Sequence, residues 1–339
     1  MTTILLSAAG APGAARLIKS LQDNGERRAR VVGTDMNPNS IGAHLCDAFH
    51  VVPAGDDPSY PDAVLELVER EDVDVVLPQS SFDLDALSVR RDEFPVPVLV
   101  SSPETVFRSN DKAETYAFLQ RIGVPTVEYR RVAGGKQVEA AARELGYPDR
   151  PVCFKPVFSS GSRGFRILDP TVDRAHQLLH ERPGSVAMRL EEAVELLPDE
   201  GGTELLVMEL ATGGERTIDG LADGERVVLG HPKTREAMRA GLAMYFVTLE
   251  DPALMETADK IVRELHIEWF FNVQLVGDYV IEINPRISTI VYQEDLNLPW
   301  LGVKRALGEI SDEELASLSS RIRPGRTALR YFDQVEYDQ

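Results

Sequence analysis

Three side chains in the last third of the chain carry oxygen donors at a spacing that suits a hard cation. Gln274 lies in "NVQ", and Glu282 and Asn284 lie in "EINPR". Alternate residues of a strand share a face, so an extended backbone here sets Glu282 and Asn284 side by side. A strand otherwise built from "VIEINP" has no packing reason to bury a carboxylate at that point. Mg2+ takes oxygen ligands from a few side chains and completes its shell with water and substrate phosphates. Gln, Glu and Asn on adjacent strands meet that need. Arg286 follows, with Pro285 fixing the turn, and its planar guanidinium suits a phosphoryl or acyl-phosphate oxygen. Taken alone, these residues also read as an exposed polar strand face.

A second stretch, "KPVFSSGSRG" at 155–164, carries Lys155 and then Ser159, Ser160, Gly161, Ser162 and Gly164. Glycines let backbone N–H groups approach phosphate oxygens closely, and a lysine adds a point charge. The lysine precedes the glycines and no helix follows, so this is not a Walker A loop. A plain hairpin with a solvated loop is its competing reading. A third stretch, "HPKTREAMRAG" at 231–241, sets Lys233, Arg235 and Arg239 close together in an acidic chain. Arg235 is the strongest candidate there for holding a substrate carboxylate. A solvated loop or helix face competes with it.

The front of the chain offers a different chemistry. "ILLSAAGAPGAARLIKSL" at 4–21 carries Gly10, Gly13, Ala14 and Ala15 after an apolar run, and Asp35 follows in "VVGTD". That acid could mimic the residue that bonds a ribose hydroxyl, but the full G-x-G-x-x-G is absent. A tight strand-to-helix turn needs small residues in any case.

The elements that must position these residues follow from periodicity. "TILLS", "ARVVGTD", "VDVVLPQ" and "VPVLVS" read as strands, and "GAARLIKSLQDNG" and "YPDAVLELVERED" as helices between them. Alternating β and α segments with nearly continuous apolar strands imply a parallel sheet covered on both faces. From about 109 the texture changes. "SNDKAETYAFLQRIGVP" reads as one helix capped near Asn110 or Asp111 and stopped at Gly123. "PVCFKPVFSSGSRGFRIL" reads as strand, loop, strand, and residues 171–197 as helical. "ELLVMEL", "ERTIDGLADGERVVLG" and "AMYFVTL" read as strands, and "DPALMETADKIVRELH" as a helix. "FFNVQLVGDYVIEINPR" reads as a hairpin turning at Gly277-Asp278. The tail from 311 reads as a charged helix and then a short apolar run.

The bulk numbers bound the class. A chain of 339 residues exceeds one compact core and suits two or three subdomains. The net charge of −19 argues against a nucleic-acid partner, because such a partner needs cations to displace its counterions. Cys46 and Cys153 lack metal or redox spacing and read as buried small hydrophobes. His44, His50, His176, His180, His231 and His266 show no ligand spacing. No apolar run reaches membrane-spanning length, and the first residues do not read as a leader, so a cytoplasmic protein is expected.

Five of these stretches, in order, resemble the ATP-grasp superfamily, nearest its carbamoyl-phosphate-synthetase-like branch. They are "SNDK" at 109–112, "KPVFSSGSRG" at 155–164, "VMELATGGERTIDGL" at 207–221, "NVQ" at 272–274 and "EINPR" at 282–286. The resemblance covers roughly residues 109–310, and the βα region before it looks like the domain that precedes ATP-grasp. It implies an α/β fold with an α+β C-terminal part. A Rossmann-like parallel-sheet domain at 1–108 would precede a two-lobed ATP-grasp fold. Its small lobe would span 109–205 and its large lobe 206–339, with the metal site and the C-terminal tail.

The resemblance also implies roles. Lys112 and Lys155 would contact ATP phosphates or adenine, and Ser160, Gly161, Ser162 and Gly164 would fold over the phosphates. Glu209 and Leu210 would meet the adenine edge, and Glu215 the ribose hydroxyls. Gln274, Glu282 and Asn284 would hold one or two Mg2+ ions, with Mn2+ able to substitute. Arg286 would stabilise the transferring phosphoryl group and the acyl phosphate. The implied reaction is a carboxylate–amine ligation driven by ATP, on an amino-acid or peptide-like substrate, by a homodimer with no nucleic-acid or membrane partner. Two departures stand out. Trp269 and Phe270 occupy places where relatives usually carry a glycine before the metal strand. "ISTIVYQEDLNLP" follows Arg286 where many relatives have a glycine pair. Both bulky stretches are expected to line the acceptor pocket. On the residues alone, two other classes stay open: an NAD(P)-dependent oxidoreductase using the front domain, and a non-catalytic nucleotide-binding relative.

Overall fold

The computed structural model describes residues 1–339 except 160, 182–183, 200, 240–241, 289–295, 332 and 338–339. The chain forms two compact units. Unit 1 comprises Met1–Ser109, Glu215–Leu275 and Glu282–Gln339, and unit 2 comprises Asn110–Gly214 and Val276–Ile281.

The front of unit 1 is the expected parallel sheet. Strands β1 (Thr2–Leu6), β2 (Ala29–Asp35), β3 (Ala48–Val51) and β4 (Val75–Leu77) pair in the order β3-β2-β1-β4. All three pairings are parallel. Both faces are covered. Ile4 and Leu6 of β1 join Leu17 and Leu21 of the helix Ala14–Gln22 in one apolar cluster. Leu5 between them joins Val64 and Leu67 of the helix Tyr60–Arg70 in another. That is why β1 reads as an unbroken apolar run rather than an alternating one. The segment "VPVLVS" contributes only an isolated bridge, Val98 to Val76. Pro95 and Pro97 have no N–H to give a ladder, although Pro97 O still accepts from Val76 N at 2.9 Å.

Unit 2 is built on β5 (Tyr129–Ala133), β6 (Val152–Pro156), β7 (Arg166–Leu168), β8 (Ala187–Met188) and β9 (Glu204–Glu209), in the order β5-β9-β6-β7-β8. Val152 and Phe154 face one apolar cluster with Val138 and Leu145, and Cys153 faces another with Tyr116 and Met208. The helix expected in "SNDKAETYAFLQRIGVP" is Lys112–Arg121, capped as expected at Asp111, whose carboxylate accepts from Ala113 N at 2.8 Å and Glu114 N at 3.0 Å. Ser109 and Asn110 before it end a separate helix, Pro103–Asn110. The expected helical stretch 171–197 is instead two short helices, Arg174–His180 and Leu190–Leu196, with β8 between them.

The rest of unit 1 carries β10 (Glu215–Asp223), β11 (Val227–Thr234), β12 (Glu236–Arg239), β13 (Leu242–Val247), β14 (Glu268–Val276), β15 (Tyr279–Asn284) and β16 (Thr327–Leu329). One sheet runs β11-β10-β14-β15 and another β12-β13-β16. β10 and β11 form an antiparallel hairpin that sets Thr217 opposite Lys233 and Asp219 opposite His231. β14 and β15 turn at Gly277-Asp278 as expected, with Gly277 at φ +56°. The core behind β14 is tight. Phe270 and Phe271 are each 1% exposed. A Cβ on Gly302, in the helix Leu298–Ala306, would lie 2.1 Å from the Phe270 ring.

Candidate functional site

The candidate residues fall into two sets, one in each unit. In unit 2, β6 delivers Lys155. Its Nζ donates to Ile281 O at 3.2 Å and to the Tyr116 hydroxyl at 3.4 Å, and lies 5.1 Å from the Tyr116 ring centroid. Lys112, in the first turn of its helix, donates from Nζ to Ser159 O at 2.5 Å. One lysine therefore holds the base of the serine-glycine loop. In that loop Gly161, Ser162 and Gly164 all take positive φ, at 63°, 60° and 75°. Gly161 stands in open space, whereas a Cβ on Gly164 would meet the Pro156 ring at 2.6 Å. Ser160 lies outside the described residues. At the end of β9, the Glu209 carboxylate pairs with Arg150 at 2.8 Å, and Leu210 N donates to Pro151 O at 3.0 Å. Cys153, on β6 beside Lys155, is buried, and burial pushes its thiol up to about 12.

Unit 1 holds the other set on one sheet face. Each of four neighbouring strands contributes residues two apart: Lys233 and, just past the strand end, Arg235 from β11, Thr217 and Asp219 from β10, Asn272 and Gln274 from β14, Glu282 and Asn284 from β15. The residues between them, such as Ile218, Val273 and Ile283, are buried and apolar. The alternation separates a polar face from the core.

On that polar face Asn272 is the junction. Its Nδ2 donates to Thr217 Oγ1 at 2.7 Å and to Asp219 Oδ1 at 2.8 Å. Its Oδ1 accepts from Gln274 Nε2 at 2.7 Å and Asn284 Nδ2 at 3.3 Å. Gln274 Oε1 accepts from the Arg235 guanidinium, which also pairs with Glu215 at 3.4 Å. Asn284 Oδ1 accepts from Arg286 Nη2 at 3.2 Å. Arg235, Glu215, Gln274, Asn284 and Arg286 are thus brought together, and Glu282 sits half-buried two residues from Asn284 on the same strand.

Lys233 takes no part in an exposed basic cluster. It is 0% exposed and forms an ion pair with Asp219 at 2.5 Å. Burial pushes its ammonium down to about 8, while the Asp219 charge pulls it back up. The side chain of Arg239 lies outside the described residues. Asn272, Thr217 and Asp219 were not singled out from the sequence. The signal available was the alternation in "RTIDGL" and "FFNVQ", which puts polar groups where the flanking residues are core.

The oxygen donors here suit a hard cation in one particular way. Among the described residues, no group of three or more His, Cys, Asp or Glu could hold a metal by itself. Gln274, Glu282 and Asn284 supply a single carboxylate and two amide oxygens. Mg2+ is held in this manner when substrate phosphates and water complete the shell.

At the front of unit 1, the Asp35 carboxylate accepts from Gly10 N at 2.8 Å and Asn37 N at 2.9 Å, so it engages its own loop. Beyond the carboxyl ends of β1 and β4, where an open parallel sheet takes ligands, Ser7 Oγ donates to Asp83 at 2.5 Å and Gln79 Nε2 to Ser7 O at 2.9 Å. The expectation that "HIEWFF" lines a pocket does not hold for Phe270, which is core. Trp269 sits at φ +63°, with the Arg305 guanidinium 5.0 Å from its ring centroid.

A family profile described as "ATP-grasp in the biosynthetic pathway with Ter operon" matches residues 202–326. The front of the chain, residues 4–99, matches the N-terminal domain of the PylC-like family. The N-terminal section of the carbamoyl phosphate synthase large chain of Methanopyrus kandleri is 28% identical over 294 residues, covering 80% of this chain and 48% of the relative. The chain therefore spans about half the length of that curated relative. Two solved structures share the fold. The biotin carboxylase domain dimer of the Hydrogenobacter thermophilus 2-oxoglutarate carboxylase, in complex with MgADP, ADP and bicarbonate, matches with a TM-score of 0.67 and 16% identity, over 96% of this chain and 73% of that one. The L-amino acid ligase of Bacillus licheniformis matches with a TM-score of 0.62 and 17% identity, over 96% of this chain and 78% of that one.

Proposed function

We propose that this chain is an ATP-grasp enzyme, an ATP- and Mg2+-dependent ligase that activates a carboxylate as an acyl phosphate and joins it to an amine. The observation that carries the reading is the polar face of unit 1. There, the amide oxygens of Gln274 and Asn284 accept from the guanidinium groups of Arg235 and Arg286, and the Glu282 carboxylate lies two residues from Asn284 on the same strand. Such a set neutralises phosphate charge and holds a cation. In the proposed reaction a carboxylate oxygen attacks the γ-phosphorus of ATP and ADP leaves. The amine nitrogen then attacks the acyl carbon, the C–O bond to phosphate breaks, and the amine gives up a proton to solvent.

Gln274, Glu282 and Asn284 would hold Mg2+, which when bound supplies positive charge to the β- and γ-phosphate oxygens. Arg286 orients and neutralises the phosphoryl oxygens, and Arg235 holds the substrate carboxylate. Lys112 and Lys155 bind nucleotide phosphates, and the loop through Gly161, Ser162 and Gly164 covers them. Glu209, Leu210 and Glu215 serve the adenosine. Proximity and charge neutralisation, rather than a general base, are what such a transfer demands. We further propose an amino-acid or peptide-like substrate, a homodimer, a cytoplasmic setting and a division at 1–108, 109–205 and 206–339. The described residues contain no helix long and apolar enough to cross a membrane.

Thermal shift with ATP–Mg2+ and with NAD+ tests the reading. A ligand at a hundredfold excess over Kd stabilises by about 2.7 kcal/mol, so ATP–Mg2+ should raise Tm by several degrees. A rise with NAD+ and none with ATP–Mg2+ refutes it. An ATP-consumption screen across amino-acid pairs, with mass spectrometry of products, then identifies the substrates.

A further inference from the structure

Amides have two ends of opposite hydrogen-bonding role, and a metal can use only one of them. Which end Gln274 and Asn284 offer is decided by their neighbours. Asp219 is a carboxylate and can only accept. Thr217 spends its one hydroxyl proton on Val273 O at 3.0 Å, so towards Asn272 it too accepts. The end of Asn272 that faces both must therefore be its NH2 group, and its Oδ1 must point the other way. Turned over, Asn272 would set an oxygen against a buried carboxylate. Because that Oδ1 accepts from Gln274 and Asn284, both must present their NH2 groups to it. Their oxygens are left on the far side, beside Arg235 and Arg286. Lys233 compensates the Asp219 charge at a place where the two side chains are 0% and 1% exposed.

We infer that Asp219, with Thr217 and Lys233, is a positioning element that acts through Asn272 to turn the oxygens of Gln274 and Asn284 outward as cation ligands. The inference rests on the metal reading of Gln274, Glu282 and Asn284 above.

The test measures Mn2+ affinity in the protein–ADP–Mn2+ ternary complex by water proton relaxation, alongside Tm. Asp219→Asn alone strands Lys233 as a buried charge and should lower Tm. The double variant Asp219→Asn/Lys233→Met removes both charges, which keeps such a site folded, but leaves Asn272 free to turn over. It should recover Tm yet bind Mn2+ about tenfold or more weakly than wild type, the usual effect of losing an outer partner of a metal site. Thr217→Val keeps side-chain shape and the ion pair, and should give a smaller loss. If the double variant does not fold, Thr217→Val decides alone. Wild-type Mn2+ affinity in these variants, while Glu282→Gln loses it, overturns the positioning role and leaves the metal reading standing. Wild-type affinity in Glu282→Gln as well overturns the metal reading, and the positioning role falls with it.

Discussion

Glu282 is the one carboxylate of the proposed cation set, and its neighbours on the strand, Ile281 and Ile283, are apolar. Glu282→Gln keeps the shape and removes the charge. ATP consumption, followed as ADP release, should fall about 10²-fold or more, the scale for losing one preorganised electrostatic group. Tm should stay within a degree or two, because the side chain is only half-buried. Wild-type turnover would rule out this residue as a ligand. Gln274, Glu282, Asn284 and Arg286 were legible in the sequence because a period of two exposes them within a single segment. Asp219 and Lys233 were not. Their partnership spans a hairpin and depends on which strand lies beside β10, which local alternation does not specify. A lysine in an acidic chain reads as solvated until a buried carboxylate is found diagonal to it on the next strand.

At the level of elements, the parallel front sheet was readable because β1, β2 and β4 are apolar on both faces. The proline-bearing "VPVLVS" shows the limit of that rule: with the N–H of Pro97 missing, the same composition yields a bridge instead of a strand. Asp111, by contrast, was legible as a cap, and it starts the helix Lys112–Arg121. The bulk before the metal strand also has a structural account. Trp269 takes a left-handed backbone, the conformation a glycine supplies without strain. The place still has the geometry of the residue it lacks, and the indole instead lies against Arg305. Phe270 on β14 packs where Gly302 leaves room. Gly302→Ala should therefore destabilise the protein by about 1–3 kcal/mol through overpacking, despite alanine's better helix propensity. Chemical denaturation measures this; an unchanged or raised midpoint would mean that the helix shifts freely off β14.

Over the whole molecule, a charge of −19 makes self-repulsion a standing cost of the compact state. The exposed ion pairs, such as Arg143 with Glu139, contribute little to offset it. Raising NaCl from about 0.05 M to about 0.5 M shortens the screening length severalfold and should raise Tm. A fall in Tm over that range would show that the ion pairs outweigh the repulsion. The path of the chain has a separate consequence. It leaves unit 1 after Ser109, returns at Glu215, and departs again for the six residues Val276–Ile281. That short tip is held within unit 2, where Val280 N donates to Pro125 O at 3.2 Å and Ile281 O accepts from Lys155. Unit 2 is therefore not a cassette. A recombination event that exchanged residues 110–214 with a homologue would strand the original tip against foreign partners. Viable chimeras must carry both segments together, so the lineage of unit 2 should be inherited in two linked pieces.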